Sequence, residues 1–572
     1  SFIETNTYFV NQDEHDLPMV SISGSTLSDG SWGIESEPTV LEYFDASNQF
    51  VCEANGDSDK HGFDSNAFSQ RGFDFVTHDE FGYDHHVEAA LFQTTDRTEF
   101  QRLIFKAGGF DNYQQGNGAH IRDHLLHTMC QEADLNIDAR SSSYCVVYVN
   151  GDYCGLYVME EKVDDLDYVE HYYDQHEGHV DFLKTWGGTW AEYGDMAGWQ
   201  DVVDFQNEEP LCEGDNYDWV SSQVDMSSLI DFFVLQTFAV NTQYLNWDQA
   251  WWRGQDPMGG DTKWRYALWG MSHTFGHGVN YLGLAQTGPE SLPCEVLNTG
   301  DPGGAGHVPL WNALLENPDF ENQLLTRYLE LNSTDFSCEN LNALIDSLQS
   351  VFNSEMERHV NRWGGSVEGW NAELADLHDF VNARCGAQME SLIEQCWGTL
   401  GETDALTILI SGDGTVNVNG ATISEDDTPF VVQDCPNFFQ LTAVNGIDNF
   451  ASWELISGDA EINVPSDPFL ELSVLEPVTV QANFDMPDRV LENKMATINA
   501  YPNPATGIVA FQSGSPLQAI TILDQLGRVV LVENCVGVST CRVNVAGLEN
   551  GVYTAVSQLD SNRQVIKIIK SN

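Results

Sequence analysis

Over the first 400 residues of this 572-residue chain the spacing of apolar positions shifts from one regime to another. Early runs such as Cys145–Asn150 and Gly155–Met159 are short, rich in Val and Tyr, and bounded by turn residues, and they predict strands. Asn150-Gly151 between them is the signal of a tight hairpin. Later runs repeat their apolar residues every three or four positions and predict helices: Ser227–Val240, Leu310–Leu315, Asn340–Phe352 and Leu374–Val381. Strands followed by helices predict an α+β domain over residues 1–400. From 401 to 486 apolar and polar residues alternate between Gly and Asn turns, as in Leu406–Ile410, Gly414–Val418 and Val478–Phe484, which predicts a small all-β module. Residues 487–572 are again strand-rich. Tyr501-Pro502-Asn503-Pro504 opens that segment with a stiff extended stretch, and Gly527 and Gly551 free the backbone at turns. The fold class expected is α+β, a large domain followed by two small sandwich-like all-β domains.

Hydrophobic residues make up 42% of the chain and aromatics 11%, enough for several cores, so wholesale disorder is not expected. No apolar run reaches the roughly 18 residues of a membrane span. Ser1 in place of an initiator Met, with no signal peptide, fits a processed, exported protein. Charge changes the picture further: 23 Lys+Arg face 88 Asp+Glu, a net −65. Nucleic-acid phosphates would meet a like-charged surface, so no such partner is expected. The excess is uneven. Residues 401–486 carry 15 acidic residues and no Lys or Arg, whereas 487–572 carry 7 basic and 6 acidic. Acidity of this kind serves solubility in salty water or holds surface Ca²⁺. No other cofactor is expected.

The 12 cysteines match no zinc spacing. Cys535 and Cys541 flank a short Gly-containing segment and are expected to be bonded, stapling a hairpin. Other candidate sites are weak. Asp57–Gly62 opens like a calcium loop, but the twelfth position is Phe68 and not Glu. His171, His176 and His179 lie in a polar stretch without a fourth ligand and read as a solvated loop. No metal-binding residues are assigned. No G-x-S-x-G, HExxH or P-loop pattern occurs.

Eight segments carry a resemblance in fixed order: His15–Ile22, His61–Phe75, Phe105–Tyr113, His120–Asp123, Val147–Asp165, Leu183–Gly194, Asn241–Gly254 and Lys263–Gly278. Together they resemble the CotH kinase family, the spore-coat protein H-like atypical kinases. The resemblance implies an atypical kinase-like fold for residues 1–400 and a site for ATP and Mg²⁺. A kinase needs one carboxylate to hold Mg²⁺ against the phosphates and another to orient or deprotonate the attacking hydroxyl. The family pattern puts Asp in an N-x-Asp-W-x-x-x-N segment and two Asp shortly before T-F-G. Here Gln243 stands at the first position and Asp248 at the second Asn. Gly270 and Ser272 replace the two aspartates before Thr274-Phe275-Gly276, and Arg71 stands where Lys is usual. An amide is no base, Gly has no ligand atom, and a hydroxyl is a poor substitute for a carboxylate on Mg²⁺. The catalytic set is therefore expected to be degenerate, unless Asp248 or Asp261 fills the gap. Glu161 and Lys162 read either as relics of a nucleotide site or as a surface ion pair. Arg122 and Asp123 read as a buried pair at a helix start. The aromatic stretch Trp247–Trp252 reads as core and rim, with a sugar platform as the alternative.

Gly412, Gly414, Trp453 and Phe484 carry a resemblance of residues 401–486 to bacterial extracellular β-repeat modules. Tyr501–Pro504, Gly527, Gly551, Lys567 and Lys570 lie in a segment that resembles the type A C-terminal sorting domain of type IX secretion, an Ig-like β-sandwich. That resemblance implies export across an outer membrane, translocon or shuttle proteins as partners, and an extracellular or outer-surface location. The function expected is that of a secreted surface protein with a non-catalytic, pseudokinase-like domain. It would serve a structural or adhesive role through self-association or other surface proteins. The alternatives are an active secreted kinase and a carbohydrate-binding surface protein.

Overall fold

The computed structural model describes residues 7–8, 15–25, 27, 36–62, 68–78, 85–113, 118–176, 178–212, 214–398, 406–418, 421–432, 438–458, 460, 462, 464–473, 478–485, 498–525, 527–559 and 563–571. The chain forms two units, 1–400 and 401–572. The expected domain limits at 400/401 and 486/487 fall outside the described residues.

In the first unit seven strands close into a barrel in the order Met19–Ser23, Glu37–Phe44, Phe50–Lys60, Phe73–Val76, Arg102–Lys106, Asp152–Glu161 and Ser142–Val149. Six neighbouring pairs are antiparallel. The seventh, Met19–Ser23 against Ser142–Val149, is parallel and closes the ring. The barrel interior is apolar, with Val20, Ile22, Phe73, Phe75, Phe105, Cys145, Val147 and Tyr157 among its residues. Alternate residues on the same strands, Tyr144, Val146, Tyr148 and Leu156, face outward and pack into a second core with the helices. Both faces of Ser142–Val149 are thus buried, so its sequence runs continuously apolar with no alternation. Asn150 and Gly151, with φ of 50° and 86°, form the turn to Asp152–Glu161, as the Asn-Gly signal requires. Gly155 lies where helix Cys338–Trp363 crosses this strand. A Cβ there would stand 2.8 Å from Trp363 Nε1, which donates to the Cys154 carbonyl.

The second half of this unit holds a four-stranded antiparallel sheet, ordered Thr189–Tyr193, Val180–Thr185, Gln249–Gly254 and Arg265–Ala267. Helix Met226–Phe238 packs on its Arg265–Ala267 strand, and helices His307–Leu315, Pro318–Ser333, Cys338–Trp363, Val367–Arg384 and Ala387–Trp397 follow in the chain, Cys338–Trp363 packing on barrel strand Asp152–Glu161. Asp225 caps the first of these through Ser227 and Ser228 amides, and Asn317 caps the third. Disulfides Cys294–Cys396 and Cys338–Cys385 tie the late helices. The expected core role of Trp247–Trp252 holds for Trp251 and Trp252, which are fully buried.

The second unit is all-β. Two four-stranded sheets, one containing Leu406–Ser411 and Val478–Asp485 and the other Gly414–Val418 and Phe438–Asn445, share one core that includes Ile408, Val416, Trp453 and Phe484. A five-stranded sheet follows, built on two 16-residue strands, Ile508–Leu523 and Val529–Asn544. Their register breaks between Gln512 and Leu517, and residues from both halves, Phe511, Ile520 and Val543, meet in one core. Cys535 and Cys541 are bonded, with Cα atoms 5.5 Å apart. Both lie on Val529–Asn544, so the bond closes a bulge at Val536-Gly537 within one strand and does not staple a hairpin. No helix among the described residues is long and apolar enough to cross a membrane.

Candidate functional site

A cleft of about 380 Å³ opens in the first unit, walled by pieces far apart in sequence. Barrel strands bring Asp74 and Lys106 to their ends, and the turn Gly108–Phe110 follows. Lys162 stands just beyond strand Asp152–Glu161, and Asp123 sits in the first turn of helix Arg122–Glu132. The facing wall comes from the four-stranded sheet: Lys184, Trp186 and Trp190 on one hairpin, and Gln243, Asp248, Trp269, Gly270 and Ser272 near the two strands beside it.

Four of the chain's 23 basic residues, Lys106, Arg140, Lys162 and Lys184, line this one cleft. Each has an acidic partner. Lys106 pairs with Asp123 at 2.6 Å and Glu160 at 3.6 Å, Arg140 with Glu160 at 3.1 Å, Lys162 with Asp74 at 3.1 Å, and Lys184 with Asp164 and Glu192 at 2.9 Å. Burial opposes charge on Asp74, yet Lys162 and His61 outweigh it and hold its carboxyl well below the usual range. Asp123 is depressed in the same way, burial being overcome chiefly by Lys106, and Asp164 by Lys162 and Lys184. Burial wins at Glu160, whose pKa is raised. Trp269 lies under two cations, Arg140 at 5.1 Å and Lys184 at 5.3 Å, and Trp190 under Lys184 at 5.5 Å. Among the described residues Arg140 Nε and Asp164 Oδ1 are buried without a hydrogen-bond partner.

The positions expected to be degenerate meet here, Arg71 excepted. Gln243 Nε2 donates to Asp248 Oδ2. A Cβ built on Gly270 would stand 2.5 Å from that same oxygen, so the Asp248 carboxylate fills the space a side chain at 270 would enter. Ser272 is buried, and its Oγ lies 3.4 Å from His273 Nδ1. Arg71 does not line the cleft, although its neighbours Gln70 and Gly72 do, and its carbonyl accepts from the Tyr157 hydroxyl. Asp261 pairs with Arg265 away from the cleft and leaves Asp248 as the candidate to fill the gap.

Three expectations change. Glu161 and Lys162 are not a surface pair: Glu161 ends its strand, Lys162 stands just beyond it, and the two go to different partners. Glu161 is buried against Arg97 at 3.3 Å, while Lys162 enters the cleft. Arg122 and Asp123 do not pair with each other. Arg122 binds the buried Asp111, whose carboxylate also accepts from the Ala119, Ile121 and Arg122 amides, and Asp123 turns to Lys106 and the Met271 amide. His171 is in helix Leu166–Tyr173, not a loop. The His176 and His179 rings lie 5.2 Å apart at a tilt of 40°, and no group of three metal-ligating side chains that could hold an ion occurs among the described residues. Sequence reasoning missed Lys106, Arg140, Lys184 and Asp164. The available signal was scarcity, since each cation in so acidic a chain is conspicuous.

A family model described as CotH kinase protein matches residues 56–387, and one described as secretion system C-terminal sorting domain matches 499–571. No curated protein matches the chain. The sorting domain is of the type IX kind. It marks a secreted or cell-surface protein that meets the type IX machinery during export. With more than half its length matched, from barrel strand Phe50–Lys60 through the late helices, the chain belongs to the CotH kinase protein family.

Proposed function

We propose that this secreted protein keeps the cleft of an atypical kinase as a holding site for an anionic, phosphate-bearing ligand, transfers no phosphate, and serves a structural or adhesive role at the cell surface. The carrying observation is the pairing of Gln243 with Asp248 beside a side-chain-free Gly270. The other cleft carboxylates, Asp74, Asp123 and Asp164, each hold a lysine. A carboxylate committed to an ammonium is a poor proton acceptor, and loss of a general base costs about 10²–10⁴ in rate. The retained cations and tryptophans support ligand holding. Incubation of the full chain with labelled ATP, Mg²⁺ or Mn²⁺, and cell-surface extract is expected to give no labelled product above a blank.

A second reading, an active kinase, rests on the position of Asp248, whose carboxylate stands where a side chain from residue 270 would reach. Labelling that disappears in Asp248→Ala would establish that reading and overturn the first.

A further inference from the structure

We infer that the cleft takes polyphosphate directly on Lys106, Arg140, Lys162 and Lys184, with no divalent cation between protein and phosphates. The inference rests on the ligand-holding role proposed above and adds how the ligand is held.

Mg²⁺ prefers octahedral oxygen donors and is reluctant to give up its waters, so a protein site normally offers it one or two uncommitted carboxylates beside the phosphates. This cleft does not. Asp74, Asp123 and Asp164 are each within 3.1 Å of a lysine ammonium. Asp248 already accepts from the Gln243 amide. Gly270 contributes no donor atom, and Ser272 Oγ lies beside an imidazole. A divalent ion would have to displace one of these partners, and the ammonium it freed would then oppose it at close range. A polyphosphate meets the opposite situation. Lysine ammoniums have three N–H donors and keep at least one after the one or two carboxylate contacts made here. Arg140 Nε is buried with no partner among the described residues and takes a phosphate oxygen. Asp164 Oδ1, equally orphaned, accepts from a hydroxyl or amine on the same ligand. Trp186, Trp190 and Trp269 supply ring faces on the same wall. Cations and rings together fit a nucleoside polyphosphate; the cations alone fit inorganic polyphosphate.

The test is isothermal titration of the full chain with ATP and, separately, with inorganic triphosphate, each in EDTA and in excess Mg²⁺. ATP is expected to bind in EDTA at least as tightly as in Mg²⁺. Asp248→Asn, which removes one negative charge facing the phosphates, is expected to tighten binding in EDTA by on the order of tenfold. Its thermal melting is measured alongside to confirm folding. Tighter binding of ATP than of triphosphate supports the inference with a nucleotide as ligand, and equal binding supports it with inorganic polyphosphate. Binding that needs Mg²⁺, or that Asp248→Asn abolishes in a folded protein, overturns it. That result without labelled product would leave the non-catalytic proposal standing. No binding of either compound in any condition would overturn both the inference and the ligand-holding role.

Discussion

At the scale of single residues, Gly270 and Asp248 behave as one unit. The 2.5 Å approach of Asp248 Oδ2 to a Cβ at 270 leaves no room for both side chains in their present places. Gly270→Asp alone is expected to lower stability by about 1–3 kcal/mol through crowding and like-charge repulsion. In an Asp248→Ala background both the crowding and the repulsion are gone, and most of that loss is expected to be recovered. Thermal melting of the two single variants and the double variant checks this, since neighbours in contact are non-additive. Strictly additive losses would show that the two side chains do not share one space. Gln243, Asp248, Gly270 and Ser272 were legible as candidate site residues because each sits inside a local motif with fixed flanks, and all four line the cleft. Lys106, Arg140 and Lys184 were not. They are scattered over 78 residues and converge only through the barrel and the hairpin Val180–Tyr193.

At the scale of elements, several helices and loops bury neutral imidazoles. Burial pushes His124 on helix Arg122–Glu132 down to about 4 and His307, at the start of His307–Leu315, down to about 3. His120 and His273 are pushed to about 4 by the same cause. Unfolding lets each take a proton near the ordinary value of 6.5. Stability from these groups is therefore complete above 6.5 and lost as pH falls from 6.5 toward 4. The urea midpoint of the full chain is expected to drop across that window. Each histidine contributes roughly 1–3 kcal/mol. His307→Gln is expected to flatten the decline, and an unchanged slope would contradict the assignment. The elements themselves were unevenly legible. Asn150-Gly151 marked its hairpin because turn chemistry is local. The run Asn340–Phe352 understated a helix of 26 residues, Cys338–Trp363, whose last turns offer only Met356 and Val360 as apolar residues before Trp363 packs on the barrel. Bonds such as Cys294–Cys396 span 102 residues and have no local signature.

At the scale of the whole molecule, net charge governs how copies meet. A chain of −65 repels its like unless ions intervene. If the surface role involves self-association, assemblies from the native cell surface are expected to be large in high salt or Ca²⁺ and to fall apart when chelator is added at low salt. Light scattering before and after chelation reads this out. Particles unchanged by chelation would remove ions from the assembly while leaving its existence intact; monomers throughout would remove the assembly.

The barrel has a further consequence, and it concerns cooperativity. Its ring is completed by Met19 pairing with Val146, partners 127 positions apart. Until strand Ser142–Val149 is in place, Met19–Ser23 has a neighbour on one side only, and the long loop between them must be ordered before the last pairing repays it. Closure of the sheet is therefore expected to be cooperative. Removing Met19–Ser23 would not trim the molecule by five residues. It would open two raw edges, Glu37–Phe44 and Ser142–Val149, and expose backbone donors and acceptors to any strand that came by.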